Sequence, residues 1–299
     1  MKKSLLVFLG ISNLLLASEF DYGSGTFSMQ GGFLGSVSEI DTDISTYTLS
    51  TRHANIFGNA FYAYDLTWYD SKQLNQSIHN YNSYVSDLNG LINNTSTSIP
   101  AMDYKLQGLD ANIKVGYDII HKDDDNFLGI GALVGISIPW IESNKDSSSD
   151  SNSNSGDSIF GEFPDTETKI KTYKVGATVN FQKSLISNKL SFYGTGSYAF
   201  QTGSIENDEI NSDSDVDGTF KEINLGLYFT PFTEKYKLGF LTLSPRIFAT
   251  LGYKYTKWEV DDIVINMSGK EINSDILSPF ATKFNMDSSV GYFGLGYSF

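Results

Sequence analysis

The 299-residue chain contains no cysteine, three histidines, six prolines, and 21 Lys+Arg against 35 Asp+Glu. Each shortage excludes something. Without cysteine there is no disulfide framework, thiolate zinc site, cysteine nucleophile or lipidated cysteine. A formal charge of −14 argues against nucleic acid, whose phosphates call for clustered Lys and Arg. Few prolines beside 27 glycines, 18 tyrosines and 21 phenylalanines point to many short strands and away from a soluble α/β enzyme. Beyond the N-terminal segment no apolar run approaches the ~20 residues of a spanning helix, which excludes helical membrane spans.

What is present begins with Lys2 and Lys3, an apolar stretch from Leu5 to Leu16, and the small pair Ala17-Ser18 before Glu19. That is the order of a secretory signal, so 1–18 reads as a signal peptide and 19–299 as the mature chain.

The rest alternates with period two. In one stretch Leu128, Ile130, Ala132, Val134, Ile136, Ile138 and Trp140 fall on one face, with Gly129, Gly131, Gly135 and Ser137 on the other. Leu109, Ala111, Ile113, Val115, Tyr117 and Ile119 oppose Asp110, Asn112, Lys114 and Asp118 in the same way. The segments 172–181, 190–201 and 221–230 repeat the pattern. A soluble sandwich also alternates, but several of these faces stay apolar for the ~9–11 residues of a lipid-spanning strand. Long polar connections (about 71–101, 143–167, 205–218 and 259–283) alternate with tight ones (54–59, 121–126, 183–188 and 233–237). Long loops outside and short turns on the periplasmic side are the asymmetry of outer-membrane barrels.

The chain ends Val290-Gly291-Tyr292-Phe293-Gly294-Leu295-Gly296-Tyr297-Ser298-Phe299. This resembles the last strand of single-chain bacterial outer-membrane β-barrels. The resemblance covers the whole mature chain as architecture and matches no single subfamily. It implies a Gram-negative outer-membrane location, surrounding lipid and lipopolysaccharide, and Tyr297 and Phe299 as the address read by the barrel-assembly machinery.

Strands are expected at 26–37, 44–53, 60–70, 102–120, 127–142, 168–182, 189–204, 219–232, 239–258 and 284–299. These give an all-β, closed antiparallel transmembrane barrel of ten strands, or twelve if 259–283 hides a hairpin. Closure is required because lipid offers no partner to an open strand edge. Ten strands lie near the eight at which side chains just fill the lumen, and far from the ~16–18 of open pores. The filling is expected from Arg52, Asp65, Asp110, Lys114, Asp118, Lys174, Glu222 and Lys254, four of each sign. Interior charges must pair or hydrate, so these residues form either a salt-bridged plug or a narrow charged channel.

The loops carry the acid. From 142 to 167, Glu142, Asp146, Asp150, Asp157, Glu162, Asp165 and Glu167 face Lys145 alone around a serine-rich core. Asp213, Asp215 and Asp217 before Gly218 open like a calcium loop, but the twelfth position is Asn224 instead of Glu. Calcium is therefore the single candidate cofactor, against a plain acidic loop. Leu74, Ile78, Tyr81, Val85, Leu88 and Ile92 recur at helical spacing, with Asp70 or Ser71 as cap and Gly90 near the end. They suggest one helical extracellular loop that lies over the barrel mouth or docks a partner.

Ten-stranded barrels include omptin-type rim proteases, which the chain resembles in size and expected strand count. Such catalysis needs a histidine beside acids at the outer rim. His53 and His121 map to the periplasmic side and His79 to the helical loop, none of them in an Asp-x-His or His-x-Ser arrangement. No glycine cluster opens a phosphate-binding helix. The sequence thus assigns no catalytic residue and points away from an enzyme. It reads as an integral outer-membrane barrel with a structural, adhesive or receptor-like role through acidic loops facing an extracellular ligand. A narrow solute channel is the second reading and a rim hydrolase the third.

Overall fold

A computed structural model describes the backbone of residues 18–33, 36–55, 58–72, 74–76, 102–120, 126–145, 166–187, 189–207, 212–232, 236–238, 241–243, 247–267, 270–272 and 284–297. The signal segment lies outside these residues, and so do Phe299 and most of the expected loop helix.

Ten long strands make the barrel: β1 (Ser18–Phe33), β2 (Ser36–Asn55), β3 (Ala60–Ser71), β5 (Met102–Asp118), β6 (Asn126–Lys145), β7 (Thr166–Ile186), β8 (Leu190–Asn207), β9 (Ser212–Phe229), β12 (Ile247–Met267) and β14 (Phe284–Tyr297). Four short ones decorate it: β4 (Leu74–Gln76) against β5, β13 (Lys270–Ile272) against β12, and the hairpin of β10 (Tyr236–Leu238) and β11 (Leu241–Leu243). Every barrel strand pairs antiparallel with its chain neighbour, and β14 closes on β1, with Tyr22 opposite Phe293 and Phe27 opposite Ser288. No strand edge is left open in the ring, as lipid demands.

Alternation sets the two faces, and the usual burial is inverted. Val175 is 64% exposed while its neighbour Lys174 is 1% exposed. Phe200 is 68% exposed and Gln201 3%. An apolar exterior wrapped around a polar interior is the signature of a barrel whose outside meets hydrocarbon. The apolar belt ends at aromatics. Trp68 and Trp140 stack edge-on at 5.1 Å, and the Trp140 indole N–H donates to Gln107 at 3.2 Å. Above them the outward positions turn charged, where Lys105 pairs with Asp70 at 3.1 Å.

Several expected boundaries move. The first strand begins at Ser18, not 26, and brings Glu19 and Asp21 into the barrel wall. The ninth begins at Ile247, not 239, because the β10–β11 hairpin of Tyr236–Leu238 and Leu241–Leu243 takes the end of the tight turn expected at 233–237 and the start of the expected strand. Strands also climb into segments expected as loops: Asn207 pairs with Ser212, and β12 runs to Met267. Polar side chains do not interrupt a backbone ladder, so hydrogen bonding continues beyond the apolar belt. The expected helix cannot start at its cap, because β3 runs through Ser71 and Leu74–Gln76 is strand. The Ser71 hydroxyl instead accepts the Leu106 N–H at 2.8 Å and donates to the Lys72 carbonyl at 2.9 Å.

Candidate functional site

The lumen is filled in three layers. At the short-turn end the filling is aromatic. Phe61 and Phe127 meet at 5.1 Å and 89°, and Gly129 makes room for them, since a Cβ there would lie 2.5 Å from both rings. Beside them Tyr193 and Tyr292 share a hydrogen bond of 2.5 Å, and Tyr292 donates to Asn224 Oδ1 at 2.6 Å.

The middle layer is charged. Positions 110, 112 and 114 of β5 alternate inward, and register sets Asn112 opposite Asp65 of β3. The Asn112 amide therefore donates to Asp65 Oδ2 at 2.7 Å and to Asp110 Oδ2 at 2.8 Å. The Lys114 ammonium reaches Asp65 at 2.9 Å and crosses to Glu222 of β9 at 2.7 Å. Lys254 of β12 lies 3.1 Å from Glu222 and 3.8 Å from Asp65. Lys174 of β7 pairs with Asp110, and its ammonium sits 3.9 Å from the centre of the Phe220 ring. Ser137 donates to Asp110 and accepts the Trp258 indole N–H at 3.0 Å. Asp65, Asp110 and Glu222 balance Lys114, Lys174 and Lys254 in formal charge. The three carboxylates lie within 4.8 Å of one another, and each is already paired with a lysine: Asp65 and Glu222 with Lys114, and Asp110 with Lys174.

Toward the long-loop end the lumen is apolar. Leu133, Ala199 and Phe220 are fully buried there, packed with Phe27, Ile44, Trp258 and Met286. Tyr69 belongs to this cluster by its ring.

Of the residues expected to line the lumen, Asp65, Asp110, Lys114, Lys174, Glu222 and Lys254 come together here. Asp118 is buried but stands apart: its carboxylate accepts the N–H groups of Ile120 at 3.0 Å and Leu128 at 3.2 Å, which ties the end of β5 to the start of β6. Arg52 lies in β2 with its side chain outside the described residues. Asn112, Ser137, Phe220 and Trp258 were not anticipated as partners, although the alternation of their strands put them on the inner face.

The expected calcium loop is a strand. Asp213, Asp215 and Asp217 belong to β9, paired with Glu206, Ser204 and Thr202, and Asp215 and Asp217 are exposed on either side of buried Val216. Alternate carboxylates on an extended strand stand about 6.8 Å apart along it, which does not form the wrap an EF-hand loop supplies. Tyr297 is the last residue of β14, opposite Ser18 and Ile247. His79, His121 and the His53 side chain lie outside the described residues.

Outside the belt, Glu259 gathers Lys221 at 2.5 Å, Lys257 at 2.6 Å and the Thr219 hydroxyl at 2.9 Å. Hydrogen bonds from Lys221 and Lys257 hold its carboxyl at about 2.

No protein-family model and no curated relative matches the sequence. Among solved structures, the outer membrane protease OmpT from Escherichia coli aligns at 10% identity over 95% of this chain and 97% of that one, TM-score 0.45. The translocator domain of autotransporter NalP from Neisseria meningitidis aligns at 11% identity over 100% and 95%, TM-score 0.39. Ail, the attachment invasion locus protein of Yersinia pestis, solved with the heparin analogue sucrose octasulfate, aligns at 9% identity over 93% and 99%, TM-score 0.28. The assignment rests on the chain's own geometry: a closed ring, an apolar exterior and a polar, filled interior. The chain is a closed ten-stranded antiparallel β-barrel with the apolar exterior of a transmembrane barrel.

Proposed function

We propose that this barrel does not conduct and that it acts at the cell surface, in a structural, adhesive or receptor-like role carried by its acidic outer segments. One observation carries the reading: Lys114 and Glu222 bridge the lumen at 2.7 Å beneath an apolar layer in which Leu133 and Phe220 are fully buried. Buried charges that are paired in this way resist parting, because separating them leaves each uncompensated. An ion would have to displace the pairs and then cross the apolar layer.

The surface role draws on charge. Seven acids face one lysine between 142 and 167, which favours a basic partner or cations and disfavours polyanions. The test is single-channel conductance of the purified barrel in a planar bilayer. The plugged reading gives no steady openings. Sustained nanosiemens-scale steps support the alternative, a narrow channel for small solutes.

A further inference from the structure

Two polar cavities, of about 60 and 50 Å³, occupy the lumen and share Asp21, Ser50, Asp65, Asn224 and Tyr292 in their walls. The larger runs toward Phe127 and Gln182 at the short-turn end. The smaller ends against the charged layer and the hydroxyl of Tyr69. Two oxygens in its wall, Tyr69 Oη and Thr256 Oγ1, have no hydrogen-bond partner among the described residues, while Glu222 Oε2 meets only the Lys254 ammonium at 3.1 Å. Tyr69 and Thr256 are only 6% and 1% exposed. Buried polar atoms in native proteins are satisfied by protein or by ordered water.

The chemistry of the wall selects the guest. Asp65 and Glu222 in the smaller cavity's wall are already paired with Lys114 and Lys254, and Asp21 accepts from Thr250. What remains to be satisfied is the two neutral hydroxyls of Tyr69 and Thr256, which a neutral molecule that both donates and accepts can serve. At the 10–15 Å³ a water requires, this space holds roughly three to five waters. On the far side of Tyr69 the cluster of Leu133, Ala199 and Phe220 offers no polar partner, and apolar constrictions of that kind block by dewetting.

We infer that the lumen is hydrated from one side only: a water-cluster site, reached from the short-turn end, lies against the charged layer, and the apolar layer is the seal. The inference rests on the plugged reading and adds where the plug is dry.

The absence of native cysteine makes the test clean. Ser50→Cys, in the wall of both cavities, and Thr256→Cys, deeper in, are made in the full chain and reconstituted with one orientation in liposomes. Silver ion, about as small as the cavity requires, is added in nitrate buffer to one face at a time. Thiol blockage is read by mass spectrometry and ion flux is recorded on the same vesicles. The expected result is blockage roughly tenfold or more faster from the short-turn face, as a dewetted layer imposes, with no flux. Two variants guard against one failing to fold. Folded variants unreactive from both faces overturn the hydrated site while leaving the plug intact. Equal reaction from the long-loop face overturns the seal, and with ion flux it overturns the plugged reading itself.

Discussion

Lys114 and Glu222 are 108 residues apart in sequence and four strands apart around a ring of ten, yet their charged atoms meet at 2.7 Å in the centre of the barrel. The pair ties the two halves of the wall together through the lumen, a restraint that neighbouring-strand hydrogen bonds cannot supply. Asp65 and Lys254 complete it, so no member of the group stands alone.

Removing one partner tests that restraint. Lys114→Met leaves Glu222 and Asp65 sharing Lys254, and is expected to destabilise the barrel by about 3–5 kcal/mol, the usual consequence of uncompensating a buried charge. The double variant Lys114→Met/Glu222→Leu is expected to recover part of that loss. Urea unfolding in lipid vesicles reads both, and a double variant as unstable as the sum of its singles contradicts the coupling.

The indole of Trp258 joins the apolar and charged layers by donating to Ser137, which in turn donates to Asp110. Trp258→Phe keeps the ring and deletes the donor, with an expected loss of about 1 kcal/mol, typical of a neutral hydrogen bond. No change in unfolding midpoint means the bond contributes nothing.

Closure of the ring depends on Gly25. A Cβ there would lie 1.8 Å from the Ser289 carbonyl oxygen on β14, and backbone cannot move aside as a side chain can. Gly25→Ala is expected to prevent or weaken closure of β1 on β14, seen as loss of the compact, heat-modifiable band on semi-native gels. Gly291→Ala, on the same seam but with open space around its Cβ position, serves as the control that closes normally.

Acid sensitivity has a local cause at Glu259, whose carboxyl is held at about 2 against its ordinary 4.5. A carboxyl lowered by folding stabilises the folded state above the ordinary value and loses that contribution as pH falls from 4.5 through about 2. Thermal unfolding between those limits is expected to fall less steeply for Glu259→Gln than for the native chain. Equal slopes would mean the two lysines do not stabilise the charged form.

Much of this was legible in sequence because a β-barrel writes its faces residue by residue. Ile113 out and Lys114 in, or Val175 out and Lys174 in, follow from period two once a lipid exterior is accepted. Six of the eight charges expected inside meet there for that reason. Which charge meets which was not legible: it depends on register summed over several strands, so Lys114 reaching Glu222 has no local signature. Boundaries failed where polarity was equated with loop. Glu19 and Asp21 alternate with Phe20 and Tyr22 as well as any later strand does, but a start at residue 26 left them out. The Asp213–Asp217 run offered a candidate ion loop beside a plain acidic one because its spacing is also that of one strand face.

The plugged lumen is the central claim, and the conductance of the purified native barrel in a planar bilayer tests it most directly. The expected record is a flat baseline, with openings appearing only after the apolar layer is breached by a polar substitution such as Leu133→Ser. Steady openings from the native protein would contradict it and turn the charged layer from a plug into the lining of a pore.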